Sequence, residues 1–169
     1  LKVAYILKGK TVHPDVSLSI APGSKQVLNM LAENGALATL IDSGARILES
    51  ACGPCIGMGQ SPNSKGISLR TFNRNFEGRS GTKDGQIYLV SPEMAAASAL
   101  TGYLTDPRTL GDMPEFKLPE VFTIHDNMIV PPASEDEMDS VEVLRGPNIK
   151  PFPVSGPLLD EIDAKCSLK

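Results

Sequence analysis

The chain has 169 residues, 41% hydrophobic and 21% charged, a composition that fits about one globular domain with a core of its own. Its net charge of −4 and its scattered basic residues argue against nucleic-acid binding, which requires clustered lysine and arginine. No apolar run approaches the roughly 20 residues that span a membrane, and the first residues lack a secretory signal. We therefore expect a cytoplasmic protein, or one of the mitochondrial matrix, with no membrane or nucleic-acid partner.

The first third of the chain alternates between helix and strand patterns. Val27, Leu28 and Leu31 recur at helical spacing after a serine that can cap a helix. Apolar residues in 16–20 alternate with serines, which is typical of a strand. In chain order the patterns predict a helix that ends at Gly9, a strand at 16–20, helices at 24–34 and 37–42 and a strand at 45–49.

Two further strands are predicted at 67–72 and 87–90, and a helix follows the second of them. Ser91-Pro92-Glu93 is a strong helix start, with a cap, a proline at the first position and an acid near the positive end of the helix dipole. Because strands and helices alternate, we predict an α/β fold over residues 1–105, a three-layer α/β/α arrangement with a mostly parallel sheet. Ligands of such folds lie at the carboxyl ends of the strands.

Residues 106–169 differ from the rest of the chain in their high proline content. Nine prolines and the acidic stretch 135–139 predict an extended arm with few long elements. Residues 121–124 are predicted to add one strand. We interpret this portion as a linker arm towards a further domain that is absent here.

Cys52-Gly53-Pro54-Cys55 is the segment richest in chemistry. Two cysteines separated by two residues can bring both sulfurs to one metal or to each other, so the pair fits a zinc half-site, a redox dithiol or two cluster ligands. The intervening Gly-Pro is also that of thioredoxin. A thioredoxin-type pair begins a long helix, however, whereas the glycine-rich residues 57–63 predict a loop.

Arg74 and Arg79 follow the next predicted strand. Either one alone would be interpreted as a solvated surface residue. Arginine nevertheless suits two-pronged capture of carboxylates, and two arginines joined through Gly78 can bind two carboxylates if the segment curls. Asn73 beside them can donate to a thiolate or an inorganic sulfur. These residues predict loops that hold a metal cluster and an acidic substrate together.

The region 51–79 resembles the aconitase superfamily of iron-sulfur hydro-lyases. The resemblance extends over the chain, because six segments occur in the order that the family has: 13–16, 21–27, 51–57, 73–79, 90–93 and 146–151. The chain is most similar to the third domain of that fold, followed by the linker to the fourth.

The resemblance implies a cofactor. In this family three cysteines hold a [4Fe-4S] cluster that acts as a Lewis acid on the substrate while a serine base takes a proton. Cys52 and Cys55 match two of the metal ligands, Ile56 lies beside the cluster, and Asn73 matches a residue that bonds near it. The third ligand belongs to a Cys-Thr-Asn-Ser segment that this chain does not contain, so we expect the cluster to be incomplete or absent in the chain by itself.

The resemblance also implies a tricarboxylic acid substrate. Arg74 and Arg79 match residues that bind its carboxylates, and no residue of the chain matches the catalytic serine, which lies with another arginine in the missing final domain. Cys166 is not a convincing substitute for the third ligand. His13 and His125 match no family site and are interpreted as hydrogen-bonded structural residues.

Aconitate hydratase, which interconverts citrate and isocitrate, is the first function that the resemblance implies, because residues 51–55 and 146–153 are similar to those of single-chain members. The alternative is the large subunit of 3-isopropylmalate or homoaconitate dehydratase, which residues 73–79 and 91–97 resemble as well. More distant alternatives are a thiol-disulfide oxidoreductase and an RNA-binding module. We expect the isolated chain to be inactive, because the remaining domains supply the base.

Overall fold

The computed structural model describes residues 1–74, 76–113, 115–116, 119–122, 124–142, 144–150, 153 and 156. It divides into two compact units, residues 1–126 and residues 127–169. The α-helices and strands of the described residues lie in the first unit. The domain boundary predicted between residues 105 and 106 stays a prediction.

The first unit alternates helices and strands in the predicted order. The helices are α1 (Lys2–Leu7), α2 (Lys25–Glu33), α3 (Ala36–Asp42) and α4 (Pro92–Thr101). The strands are β1 (Ser19–Ile20), β2 (Arg46–Ile47), β3 (Ile67–Arg70) and β4 (Gln86–Leu89). Each strand is shorter than its sequence pattern predicts or shifted by a residue, but the α/β fold class is confirmed.

Local sequence signals account for the ends of the helices. The Ser24 hydroxyl accepts a hydrogen bond from the Val27 amide at 3.1 Å, and the Ser91 hydroxyl accepts one from the Met94 amide at the same distance. Gly102 ends α4 with a φ of 80°, a left-handed conformation that costs glycine little. These predicted caps are confirmed.

The strands pair in parallel, as predicted, but within the described residues they form two short sheets rather than one. β1 pairs with β2, with Ser19 opposite Arg46, and β3 pairs with β4, with Ile67 opposite Gln86. Helices α2 and α3 make the crossover between the first two strands, which a parallel pair requires. The connection from β3 to β4 has no helix, and it carries the predicted arginines.

A small hydrophobic core lies where α1, α3 and α4 meet. Leu7 is fully buried, and Ala96 in α4 is 1% exposed. Alanines on α4 permit a close approach of α1, and the Lys2 ammonium on α1 forms an ion pair with Glu93 on α4 at 2.9 Å. The buried cluster consists of Ala4, Ile6, Leu7, Ala36, Leu40 and Ala96.

The strand predicted at 121–124 is not formed by its three described residues. Val121 and Ile124 are 81% and 75% exposed, so they have no sheet to pack against. In the second unit the described residues contain a 3₁₀ turn at Met138–Ser140. Whether residues 106–169 form an extended arm stays a prediction. Of the helices that the structure describes, none is long and apolar enough to cross a membrane.

Candidate functional site

The cysteine pair lies on a tight turn that follows β2. Pro54–Ile56 forms a single 3₁₀ turn, and the amides of Ile56 and Met58 both donate to the Gly53 carbonyl at 3.0 Å. Both cysteines are free thiols, and their Sγ atoms are 2.9 Å apart. A turn of three residues lacks the long helix that lowers the thiol pKa in thioredoxin-type sites, and this argues against the redox alternative.

The arginines lie on the loop between β3 and β4. Arg74 is exposed and Arg79 is half-buried, and the loop curls back through Gly78, which has a φ of 76°. The Arg79 amide donates to the Phe76 carbonyl at 3.1 Å, which closes this turn. The predicted curl of this segment is therefore present in the structure.

Two glycines bring the cysteine loop and the arginine loop into backbone contact. A Cβ atom added to Gly57 would lie 2.6 Å from Gly81 Cα and 2.6 Å from the Ser80 carbonyl oxygen. A Cβ atom added to Gly81 would in turn lie 2.9 Å from Gly57 Cα. Only residues without side chains permit this approach. The contact sets the distance between the thiols and the guanidinium groups.

The thiols and the guanidinium groups interact electrostatically. The pKa of Cys55 is lowered, first by the hydrogen bond from the Cys52 thiol and then by the charges of Arg79 and Arg74 and a hydrogen bond from Arg79. The pKa of Cys52 is raised, first by its hydrogen bond to Cys55 and then by the negative charge on that sulfur. The hydrogen bond between the thiols and the two guanidinium groups therefore favour ionisation of Cys55 before that of Cys52.

Three buried side-chain atoms in or beside the two loops lack a hydrogen-bond partner among the described residues: Ser50 Oγ, Arg79 Nε and Ser80 Oγ. A buried N–H group without an acceptor costs about 1–3 kcal/mol, which an incoming anion would remove. A carboxylate is the anion that a guanidinium group binds best, through two parallel hydrogen bonds.

Ile56 and Asn73 lie at the edges of the site. Ile56 is next to Cys55 and 43% exposed, and Asn73 is exposed on the arginine loop. Within the described part of the chain, Asn73 makes no hydrogen bond to either cysteine. The roles predicted for these two residues stay predictions.

Arg70 is a site residue that the sequence analysis missed. It is the last residue of β3 and only 6% exposed. Its guanidinium donates to the carbonyl oxygens of Pro54 and Gln60, which belong to the cysteine loop. Burial lowers the pKa of Arg70, while the charge of Cys55 acts in the opposite direction. A charged residue inside a predicted strand was the signal that could have found it.

His13 is a structural residue, as its sequence context suggests. Its amide donates to the Ala99 carbonyl at 2.8 Å, and its Nδ1 accepts from the Asp15 amide at 3.3 Å. Its ring packs against Gly102, where an added Cβ atom would lie 3.0 Å from Nδ1. Cys166 lies outside the described residues.

The residues brought together fit part of an iron-sulfur site. Thiolate sulfur is the ligand of such clusters, and the pair with its two arginines and unpartnered Nε offers sulfur ligands and anion donors on one surface. A cluster takes more than two protein ligands, and no group of three or more histidine, cysteine or acidic residues converges among the described residues. Among the described residues, the cysteine pair would thus supply two ligands of a larger set.

Comparison with known proteins gives concordant matches. The profile of the Aconitase family (aconitate hydratase) matches residues 1–102. A homoaconitase large subunit from Thermus thermophilus is 47% identical over 108 residues, which are 63% of this chain and 26% of that protein. A 3-isopropylmalate dehydratase large subunit from Wolinella succinogenes is also 47% identical, over 110 residues and the same shares of the two chains.

A third relative matches over more of this chain. The mitochondrial homoaconitase of Candida parapsilosis is 39% identical over 155 residues, which are 85% of this chain and 22% of that protein. The chain therefore spans about a quarter of the length of the curated relatives that it matches.

Proposed function

Because the chain belongs to the aconitase family, we propose that it forms the metal-binding and carboxylate-binding part of a hydro-lyase of the homoaconitase or 3-isopropylmalate dehydratase type. The named relatives favour this alternative over aconitate hydratase, the function that the sequence analysis put first. The three functions share one chemistry, the addition and removal of water at a hydroxylated polycarboxylic acid.

The observation that carries the proposal is the convergence of the cysteine pair with the two arginines. The sulfur of Cys55 lies within electrostatic reach of Arg79 and Arg74, although 18 residues separate Cys55 from the nearer of these two arginines in sequence. Surface loops have no need of such an arrangement for stability, whereas a metal that must bind beside an acidic substrate requires it.

In the proposed site Cys52 and Cys55 hold a [4Fe-4S] cluster together with a third cysteine supplied by another segment. When bound, the cluster supplies a Lewis acid that polarises the substrate hydroxyl. Ile56 would pack beside the cluster, and Asn73 would donate a hydrogen bond to it. The lowered pKa of Cys55 favours metal binding at this sulfur, because thiolates and not thiols are ligands.

Arg74 and Arg79 bind the carboxylates of the substrate in this proposal. The unpartnered Nε of Arg79 gains an acceptor when a carboxylate arrives, so part of the cost of its burial is offset by binding. Arg74, which is exposed, contributes charge and a second hydrogen-bonding fork. Both arginines orient the acid without taking part in proton transfer.

The catalytic base and the remaining substrate contacts come, in this proposal, from other domains or from a partner subunit. The relatives from Thermus thermophilus and Wolinella succinogenes are both named large subunits, which favours a second chain in the enzyme. We expect the 169-residue chain alone to be inactive. Its location, cytoplasm or mitochondrial matrix, stays a prediction.

A titration of the reduced chain with 3-isopropylmalate and with citrate, followed by amide NMR, tests carboxylate binding. We expect shifts at Gly78 and Arg79 with a Kd on the order of 1 mM, since only part of the site is present. Arg79→Lys should weaken binding, while Arg108→Lys, a remote arginine paired with Asp106, should not. An identical response to acetate would contradict a site for polycarboxylates.

A chimaera tests the reaction. Residues 1–102 would replace the matching region of the Thermus thermophilus homoaconitase large subunit, and hydration of homoaconitate, isopropylmaleate and cis-aconitate would be compared. Turnover that is lost in Cys55→Ser and Arg79→Lys supports the proposal. Retention of full activity in both variants would refute it, and the preferred substrate would separate the alternatives.

A further inference from the structure

Arg70 is the one charged side chain that the described residues bury. Removing a cation from water is unfavourable unless its N–H groups find acceptors. Among the described residues Arg70 forms no ion pair with a carboxylate, and the charge of Cys55 only opposes the effect of burial on its pKa. The reason for its burial must be sought in the hydrogen bonds that it makes.

The hydrogen bonds of Arg70 connect β3 to the cysteine loop. Its Nη1 donates to the Pro54 carbonyl, its Nη2 donates to the Gln60 carbonyl at 3.2 Å, and its Nε donates to the Ser68 hydroxyl at 2.9 Å. Two of these three acceptors are backbone atoms of the cysteine loop. A lysine in this position has no planar fork and could not reproduce the same three bonds.

The two carbonyl groups bound by Arg70 delimit the segment 54–60. Cys55 lies inside this segment, directly after Pro54, and one guanidinium therefore fixes both of its ends. Gln60 is itself held on the opposite side, because its Oε1 accepts from the Ser19 hydroxyl at 3.0 Å and from Arg46 Nη1 at 2.9 Å. The segment is thus tied to both short sheets.

We propose that Arg70 is a positioning residue of the candidate site, whose guanidinium clamps segment 54–60 so that Cys55 stays beside Cys52 when a metal binds. The inference rests on the proposed function, in that it takes the cysteine pair as metal ligands. Residues behind a ligand fix its orientation before the metal arrives, and their loss typically lowers metal affinity about 10–100-fold. Arg70 performs this task through the backbone rather than through the sulfur.

Cadmium is a suitable probe, because its bonds to thiolates absorb in the ultraviolet and can be titrated without an assembled cluster. The reduced 169-residue chain would be titrated with Cd²⁺ without oxygen, as wild type and as Arg70→Met, Arg70→Lys and Arg46→Met. We expect Arg70→Met to weaken binding about tenfold or more and Arg70→Lys to weaken it less. Arg46→Met loosens Gln60 from one side but leaves the Pro54 carbonyl bound by Arg70, so it should weaken binding less than Arg70→Met does.

Two controls separate positioning from general stability. Leu7→Ala weakens the remote core and should leave Cd²⁺ affinity and the absorbance of the bound state unchanged. In metal-free wild type, ¹⁵N NMR should resolve separate, slowly rotating Nη groups for Arg70 and averaged ones for the exposed Arg145. This second measurement needs no variant, so it decides the question even if Arg70→Met does not fold.

The outcomes distinguish this inference from the proposed function. Equal Cd²⁺ affinities of wild type and Arg70→Met, or averaged Nη groups at Arg70, would overturn the positioning role of Arg70. Neither result would contradict metal binding by Cys52 and Cys55. An equal loss in Arg46→Met would also overturn it, since the effect would then come from loop charge. Absence of Cd²⁺ binding by wild type would overturn the metal role of the cysteines and, with it, the role of Arg70.

Discussion

The helical core and the two site loops are stabilised in different ways. In the core α1, α3 and α4 bury apolar side chains, and the fully buried Leu7 lies at its centre. In the loops the cysteines and arginines are exposed or half-buried, and glycine contacts and one buried guanidinium hold the backbone. Core contacts are apolar and non-directional, whereas the hydrogen bonds of the loops require particular distances and angles between donor and acceptor.

This difference indicates that the residues that stabilise the fold are not those that carry the chemistry of the site. Substitutions in the core should change the free energy of unfolding without changing how the folded molecules bind metal or acids. Substitutions in the loops should change the chemistry at a smaller cost in stability. The four predictions that follow test this separation.

The largest expected effect is that of Leu7→Ala. Removing a fully buried leucine side chain should lower the free energy of unfolding by about 2–5 kcal/mol, because it loses burial and leaves a cavity. Urea unfolding followed by circular dichroism measures this loss. A loss below about 1 kcal/mol would mean that the helices do not form the stabilising core.

Gly57→Ala should break the contact between the two loops. The new methyl group would collide with Gly81 and the Ser80 carbonyl, and a left-handed residue with φ of 90° is strained as alanine. Gly59→Ala is the matched control, since Gly59 also has a positive φ, of 77°, but open space around it. We expect Gly57→Ala to cost about 1–3 kcal/mol more than the control.

The same pair of glycine variants tests the geometry of the site. Gly57→Ala should also reduce the effect of Arg79 on the thiols, which the rate of alkylation by iodoacetamide reports. Equal stability and equal alkylation in the two variants would show that the loops do not touch at Gly57.

Arg79→Met should make the thiol pair less reactive at neutral pH. The charge of Arg79 and its hydrogen bond help to lower the pKa of Cys55, so their removal raises that pKa and leaves less thiolate at pH 7. The midpoint of the alkylation rate against pH should therefore move upwards. Arg108→Met serves as the control, and a shared midpoint for both variants would contradict the proximity of Arg79 to the sulfurs.

The smallest expected change in stability comes from losing the ion pair between Lys2 on α1 and Glu93 on α4. The hydrogen bond from Lys2 is the first cause that lowers the pKa of Glu93 from its usual 4.5. Stability from this pair is therefore present above pH 4.5 and is lost as the pH falls through the lower pKa of the folded state.

Lys2→Met should cost less than about 1 kcal/mol at pH 7 and nothing once Glu93 is protonated. Urea unfolding of the variant and of wild type, at pH 7 and at a pH where Glu93 is protonated, measures this difference in the free energy of unfolding. Lys8→Met, which removes a like charge at an exposed position, is the control. A constant difference between Lys2→Met and wild type at all pH values would contradict the role of the carboxylate.

Much of the first unit could be predicted from sequence because its signals are local. The serine caps at Ser24 and Ser91 and the glycine ends at Gly35 and Gly102 each depend on a few neighbouring residues. The short strands were harder, since strand length depends on the partner strand and not on the pattern alone. The exposed Val121, Phe122 and Ile124 show this, because these described residues of a strand pattern have no neighbouring sheet and form no strand.

The site was predictable in its residue types but not in its assembly. The cysteine pair and the arginines carry recognisable chemistry, so their part in a site could be expected. The buried Arg70 and the contact of Gly57 with Gly81 could not, because each joins segments far apart in sequence. Such contacts depend on the paths of the two loops, and local sequence patterns do not predict those paths.

The hydrogen bond between Cys52 and Cys55 has a consequence for the loading of the site. A metal that binds both sulfurs as thiolates must displace the protons that they carry, because a thiol is not a ligand. Loading is therefore favoured by alkaline conditions and opposed by acid. The two neighbouring guanidinium groups lessen this dependence, since they already stabilise the negative charge that the departing hydrogen ion leaves behind.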